Sequence, residues 1–287
     1  MDRFPADNKI QIPELADTES PPAYTPIYTP AESIASTAPP DFSFLPSAPS
    51  FFPDPPISNP IPTSDPISSS RPVSLSGPLK ILDSVTASSS ITLYHHVTVS
   101  GPLKGSSKVH LYDDVTIEGD IKASSAITLD GGEGKTGVTV LGSVKSSSNV
   151  EMKGDVYVEG DVKSSSKVLM EGVGGLVRIG GRVNASGPVT VRGRVEVGEV
   201  QSSGKIVVES LEKQKIIIGG LDSSGGMMEI EGDVEVRNDL KANGKVNING
   251  KLRVYGNFTV NGNVKVQAGS ELIVDGKRTI HGKLENV

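Results

Sequence analysis

The chain has 287 residues, a formal net charge of −6 and no cysteine, which excludes disulfides, thiolate metal sites and cysteine nucleophiles and fits a reducing compartment. The acidity is unevenly held: residues 1–72 carry nine acidic groups against Arg3, Lys9 and Arg71, whereas residues 73–287 hold 25 of each sign. That neutral second part lacks the basic excess a nucleic-acid footprint needs, so no nucleic-acid partner is expected.

Residues 1–72 hold 17 of the 20 prolines and five of the six Phe, but none of the 32 glycines. Proline at this density removes backbone donors and fixes φ, so neither a helix nor a ladder propagates. The reading is a disordered, Pro/Ser-rich acidic tail of polyproline II character. Pro21, Pro22, Ala23 and Tyr24 form the PPxY pattern that WW domains grip, which makes a WW-domain protein the candidate partner; a solvated spacer is the plainer alternative. Thr25-Pro26 and Thr29-Pro30 fit proline-directed phosphorylation. Phe42 to Pro53 is the tail's apolar cluster, read as a docking or membrane-touching segment or simply as a sticky stretch of spacer. No basic stretch followed by an apolar run marks a secretory signal, and no window approaches about 18 consecutive apolar residues. A soluble, cytoplasmic and at most cortical chain is expected, with membrane association unsupported.

From residue 73 onward the sequence repeats. "VKSSS" begins at Val144 and again at Val162, 18 residues later. Aliphatic pairs recur at Leu79, Val97, Val115, Val138, Val156, Val177, Val195, Ile216, Val234, Leu252 and Leu272, and six of the ten intervals are 18 residues. The longer intervals take their extra residues after position 15, as at Gly131–Gly137 and Ala268–Glu271. Insertions at one phase of a repeat mark one edge of a solenoid. Apolar residues fall at positions 1 and 3, 7, then 13 and 15, so each repeat has three short strands with alternate residues inward. Position 9 is small and position 5 is usually glycine, read as a corner needing positive φ. The prediction is all-β: a parallel, triangular β-helix of about eleven coils over 73–287; two of its three faces carry a large apolar pair, which favours a right-handed coil over the alternative, the left-handed coil of hexapeptide repeats.

Three features of the repeat invite chemistry. Gly131–Gly137, "GGEGKTG", suggests a phosphate loop, but the motif's first glycine would fall at Leu129, an inward position. His95 and His96 sit one repeat before Asp113 and Asp114, with His110 nearby; two imidazoles over two carboxylates are a candidate metal cluster, against a solvated corner of complementary charges. Lys104, Lys122, Lys145, Lys163 and Lys241 share position 8, as a docking stripe for an acidic partner or lipid or as a solvated face. No cleft-lining carboxylates or long loops stand out, so no enzyme activity, catalytic residue or cofactor is expected.

Val115–Leu129, "VTIEGDIKASSAITL", and Val156–Met170, "VYVEGDVKSSSKVLM", resemble the bactofilins, whose repeat is V-x-V-x-G-x-[VI]-x-[AS]-x-x-[VL]-x-[VI]. The resemblance covers most of residues 79–287. It implies a right-handed triangular β-helix and a cytoskeletal protein that polymerises with itself, end to end and without nucleotide, and scaffolds others. The long acidic tail departs from the family's short one. Phe258 corresponds loosely to the aromatic near the family's C-terminal tip.

Unpaired strands at the two ends of a β-helix also template association. The entry, Val73, Leu75 and Leu79, and the exit, Ile280 and Leu284, lack an evident cap. With Phe258, these are the expected assembly residues. A surface adhesin or carbohydrate-associated protein, and a monomeric binding module, are the rival readings.

Overall fold

The computed structural model describes residues 61–132, 136–211 and 214–287, all within one compact unit, Pro53–Val287. The described elements are 29 β-strands with parallel pairing throughout, and no helix among them. The chain is a parallel β-solenoid with three faces per coil, as the repeat predicts.

Register follows the repeat. Position 1 meets position 1 from Ile61 through Leu79, Val97, Val115, Val138, Val156 and Val177 to Val195, and from Ile216 through Val234 and Leu252 to Leu272. Twelve coils at a strand spacing of about 4.8 Å stack to roughly 55 Å. Inward residues of successive coils form one apolar column, with Val97, Val99, Leu103, Val109 and Leu111 all fully buried in a single coil. Each burial removes apolar surface from water, while the ladder satisfies the backbone groups that burial would otherwise strand. The insertions lie where expected, between the third strand of one coil and the first of the next, as at Gln267–Ser270 before Glu271–Val274.

The solenoid begins one coil earlier than the aliphatic pairs indicate. Ile61–Thr63 pairs with Leu79–Ile81, and Ile67–Ser69 with Val85–Ala87. The prolines hid this coil, and their placement explains why they are tolerated. Leu82 N–H donates to Thr63 O and Leu79 N–H to His96 O, so even positions donate toward the preceding coil and odd positions toward the following one. Pro62, at position 2, needs no donor because no described coil precedes it; Pro66 and Pro72 fall at corners.

The position-5 glycines have a different cause from the one the sequence suggests. Gly101, Gly119, Gly142, Gly160 and Gly181 do not have positive φ. A Cβ there would meet the preceding corner's backbone, at 2.7 Å for Gly119 and 2.5 Å for Gly142. Close approach selects the glycine. Positive φ belongs instead to the corner between the third face and the next coil, at Gly77, Gly154, Gly193, Gly232 and Gly250.

Position 9 is small because it points into the narrow corner beside the second face. Where it is serine, the hydroxyl is used: Ser164 Oγ donates to Ser148 O at 2.5 Å and accepts from Ser166 N–H at 3.1 Å. Ala123 and Ala185 stand at the same position in other coils, so Ser164→Ala is expected to cost only about 1 kcal/mol, the low end for a lost buried hydrogen bond. Equilibrium unfolding measures it.

Candidate functional site

Assembly requires strands paired on one side only, and the described chain has a set at each end. Ile61–Thr63 and Val73–Ser76 each pair only with the following coil, and Arg278–Ile280 and Leu284–Asn286 only with the preceding one. At the first set the unpaired groups come from even positions, and at the last from odd positions. In the last described coil Leu272, Val274 and Ile280 are half-buried against the core, and Leu284 is 43% exposed.

Of the expected assembly residues, Ile280 and Leu284 lie on this last coil. Val73 and Leu75 lie on the first, with Val73 already 7% exposed. Leu79 is paired with Ile61 in the ladder and is one coil in from the edge. Phe258 is fully buried, stacked between Leu240 and Arg278, and takes no part in an end surface. Its phenyl ring fills the position-7 column from inside.

The His/Asp corner is built from two pairs of consecutive residues with positive φ: His95 (55°), His96 (59°), Asp113 (40°) and Asp114 (43°). Other coils use glycine here, because non-glycine residues in this region cost about 1–2 kcal/mol each. The cluster resolves into two separate cross-coil pairs. His95 Nδ1 lies 3.7 Å from Asp113 Oδ2, and His96 Nδ1 pairs with Asp114 Oδ2. Among the described residues no group of three or more His, Cys, Asp or Glu side chains is placed to hold a metal.

His110 is turned toward Tyr112, with Nδ1 2.9 Å from the hydroxyl and the rings stacked at 5.9 Å. Burial, and secondarily the charge of Lys108, lower its pKa. The unfolded chain therefore takes up this proton at higher pH than the folded one. Stability falls as pH drops below about 6.5, the unperturbed histidine value, and the loss levels off below the folded pKa. His110→Gln is expected to reduce the drop in Tm between pH 7.5 and pH 5, measured against the unsubstituted chain.

Leu129, where a phosphate loop would need glycine, is fully buried, and strand Val138–Val140 follows Thr136. Residues 133–135 of that loop lie outside the described residues. So do Pro21, Pro22 and Tyr24 of the PPxY pattern.

The position-8 lysines form a column: Lys104, Lys122, Lys145 and Lys163 are exposed and directly stacked. Asn184, Gln201 and Asp222 follow before Lys241. Sequence reading missed the cross-coil charge order at position 16, where Asp130, Lys153, Glu171, Arg192 and Glu209 alternate in sign. Arg192 bridges Glu209 at 2.8 Å and Glu171 at 3.5 Å. The alternation was present at fixed spacing and was legible once columns, rather than strands, were read.

No known protein family, curated protein or solved structure matches this chain.

Proposed function

We propose that this chain is a non-enzymatic, bactofilin-like scaffold that assembles end to end without nucleotide in the cytoplasm, its acidic Pro-rich segment recruiting partners, a WW-domain protein through Pro21, Pro22 and Tyr24 among them. The carrying observation is register. Position meets position along the stack even where loops intervene, from Val115↔Val138 across the longest insertion to Leu252↔Leu272. One coil edge is therefore a template for the opposite edge of any other coil. A second copy offers even-position donors and acceptors to the odd-position groups of Leu284–Asn286, and apolar side chains to Ile280 and Leu284.

Negative-stain electron microscopy and sedimentation of the full chain at micromolar concentration, with no nucleotide, test this. Filaments or long oligomers are expected. Ile280→Asp with Leu284→Asp places two charges at the contact and is expected to leave short particles with an unchanged circular dichroism spectrum. Uniform short particles from the unsubstituted chain overturn the reading in favour of a monomeric display module.

A further inference from the structure

Stacked charges on this solenoid generally follow what stability asks of them. Opposite signs meet along Asp130, Lys153, Glu171, Arg192 and Glu209, an alternation that ends where Glu209 meets Glu231. Like charges directly opposite in a ladder are destabilising. Lys104, Lys122, Lys145 and Lys163 break that pattern with four cations in register on consecutive coils. Two of the four are compensated within their own strand: Lys122 lies 3.6 Å from Asp120 and Lys163 3.8 Å from Asp161. Pro102 and Ser143 occupy the equivalent place beside Lys104 and Lys145, which form no ion pair among the described residues. The two uncompensated ammonium groups thus stand two coils apart.

These lysines line a trough. The second face carries small residues at position 9, among them Gly105, Ala123, Ser146 and Ser164. Along it run a depression of about 430 Å³, from Thr86 to Ser147, and another of about 290 Å³, from Lys145 to Ser224. Lys145 stands where the two meet, lining both. A serine stands at position 10 of every coil crossed, including Ser106, Ser124, Ser147 and Ser165, lining the depressions. Past Lys163 the column changes from ammonium to amide, with Asn184 and Gln201 lining the second depression.

We propose that this trough binds a linear anionic polysaccharide lying along the solenoid axis. Its carboxylates meet Lys104 and Lys145, and its hydroxyls meet the serine row and the Asn184 and Gln201 amides. The repeat distance selects this ligand. Coils recur at about 4.8 Å, close to the length of one sugar ring, and the two free lysines stand two coils apart, as neighbouring charged groups do on one side of a two-fold glycan. An extended acidic peptide returns a side chain to the same side about every 6.8 Å, out of step with the lysines. Single-stranded nucleic acid relies on aromatic stacking platforms, and no aromatic side chain lines either depression. The proposal does not depend on assembly.

The test is fluorescence anisotropy of labelled polygalacturonate with the full-length protein at low salt. Neutral dextran, poly-L-glutamate and phosphatidylglycerol vesicles are the comparison probes. Binding of polygalacturonate is expected to exceed that of poly-L-glutamate and of vesicles, with dextran weakest. Lys104→Gln with Lys145→Gln is expected to weaken it at least tenfold. Lys104→Arg with Lys145→Arg is expected to retain it, as is the equal-charge control Lys80→Gln with Lys153→Gln on other faces. Matching circular dichroism melts establish that each variant is folded. Absence of polygalacturonate binding, an equal loss in the control pair, or tighter binding of poly-L-glutamate or vesicles each overturns the proposal.

Discussion

Phe258→Ala is expected to destabilise the solenoid by about 3–5 kcal/mol, the range for emptying a phenylalanine site in a packed core. Phe258 is fully enclosed and is the single phenylalanine of residues 73–287. Above and below it stand Leu240 and Arg278, and Arg278 cannot turn inward to fill the space without burying its charge. Coils of a solenoid contact only their neighbours, so the damage is local first. Residues 278–287 lose their support and are expected to exchange amide hydrogens well before the coils from Val97 to Val260. Chemical unfolding gives the size of the effect, and hydrogen exchange gives its place. Phe258→Leu, which restores most of the volume, is expected to recover the larger part. A Phe258→Ala chain with unchanged stability would mean the ring is not packed as described.

Gly142→Ala is expected to be nearly as damaging, through sterics instead of a cavity. Its added methyl would lie 2.5 Å from Gly119 O and 2.6 Å from Gly119 C. Both are backbone atoms of the preceding coil, held by ladders on either side, so neither yields as a flexible side chain would. The two coils must separate at that corner, which weakens the hydrogen bonds of two faces together; about 3 kcal/mol is expected, the upper part of the range for overpacking. Gly269→Ala is the instructive contrast. Gly269 has φ of +78° and open space where its methyl would go, with nothing within 4 Å, so only the backbone penalty of about 1–2 kcal/mol applies. Thermal melts of the two variants side by side separate close approach from conformational freedom as the reason for a glycine. Equal effects would show that the position-5 column is not sterically closed.

The same contrast shows where sequence reading reached its limit. Glycine recurring at position 5 was visible in the chain, and its regularity identified a corner. Its cause was not, because φ and the distance between coils are properties of the folded stack. Expecting positive φ at Gly119 and Gly142 was reasonable from residue type, and the structure assigns positive φ to a different corner, where His95, His96, Asp113 and Asp114 adopt it without being glycine. Phe258 has the same lesson in reverse. Its loose correspondence to the family's tip aromatic marked it for an end contact, while its position 7, an inward position along the repeat, already placed it in the core.

Composition misled at the first coil. Thr63, Ile67, Ser69, Val73 and Leu75 keep the phase of the repeat, but Pro62, Pro66 and Pro72 made the stretch read as part of the tail. Proline opposes a central strand because it lacks a donor, and among the described residues this coil pairs only with the one that follows. Whether a strand is central or at an edge is a tertiary fact.

The sequence by itself determined the period, the three inward strands per repeat, the edge that carries the loops and the exclusion of cysteine chemistry, because side-chain alternation and 18-residue spacing are local and survive in a one-dimensional string. Only the tertiary structure decided that a further coil precedes Leu79, why each glycine is needed, that the His/Asp residues form two pairs, and that the lysines line two adjoining depressions. Those depend on which residues lie about 4.8 Å apart across coils, a distance set by the ladder and not by the order of the chain.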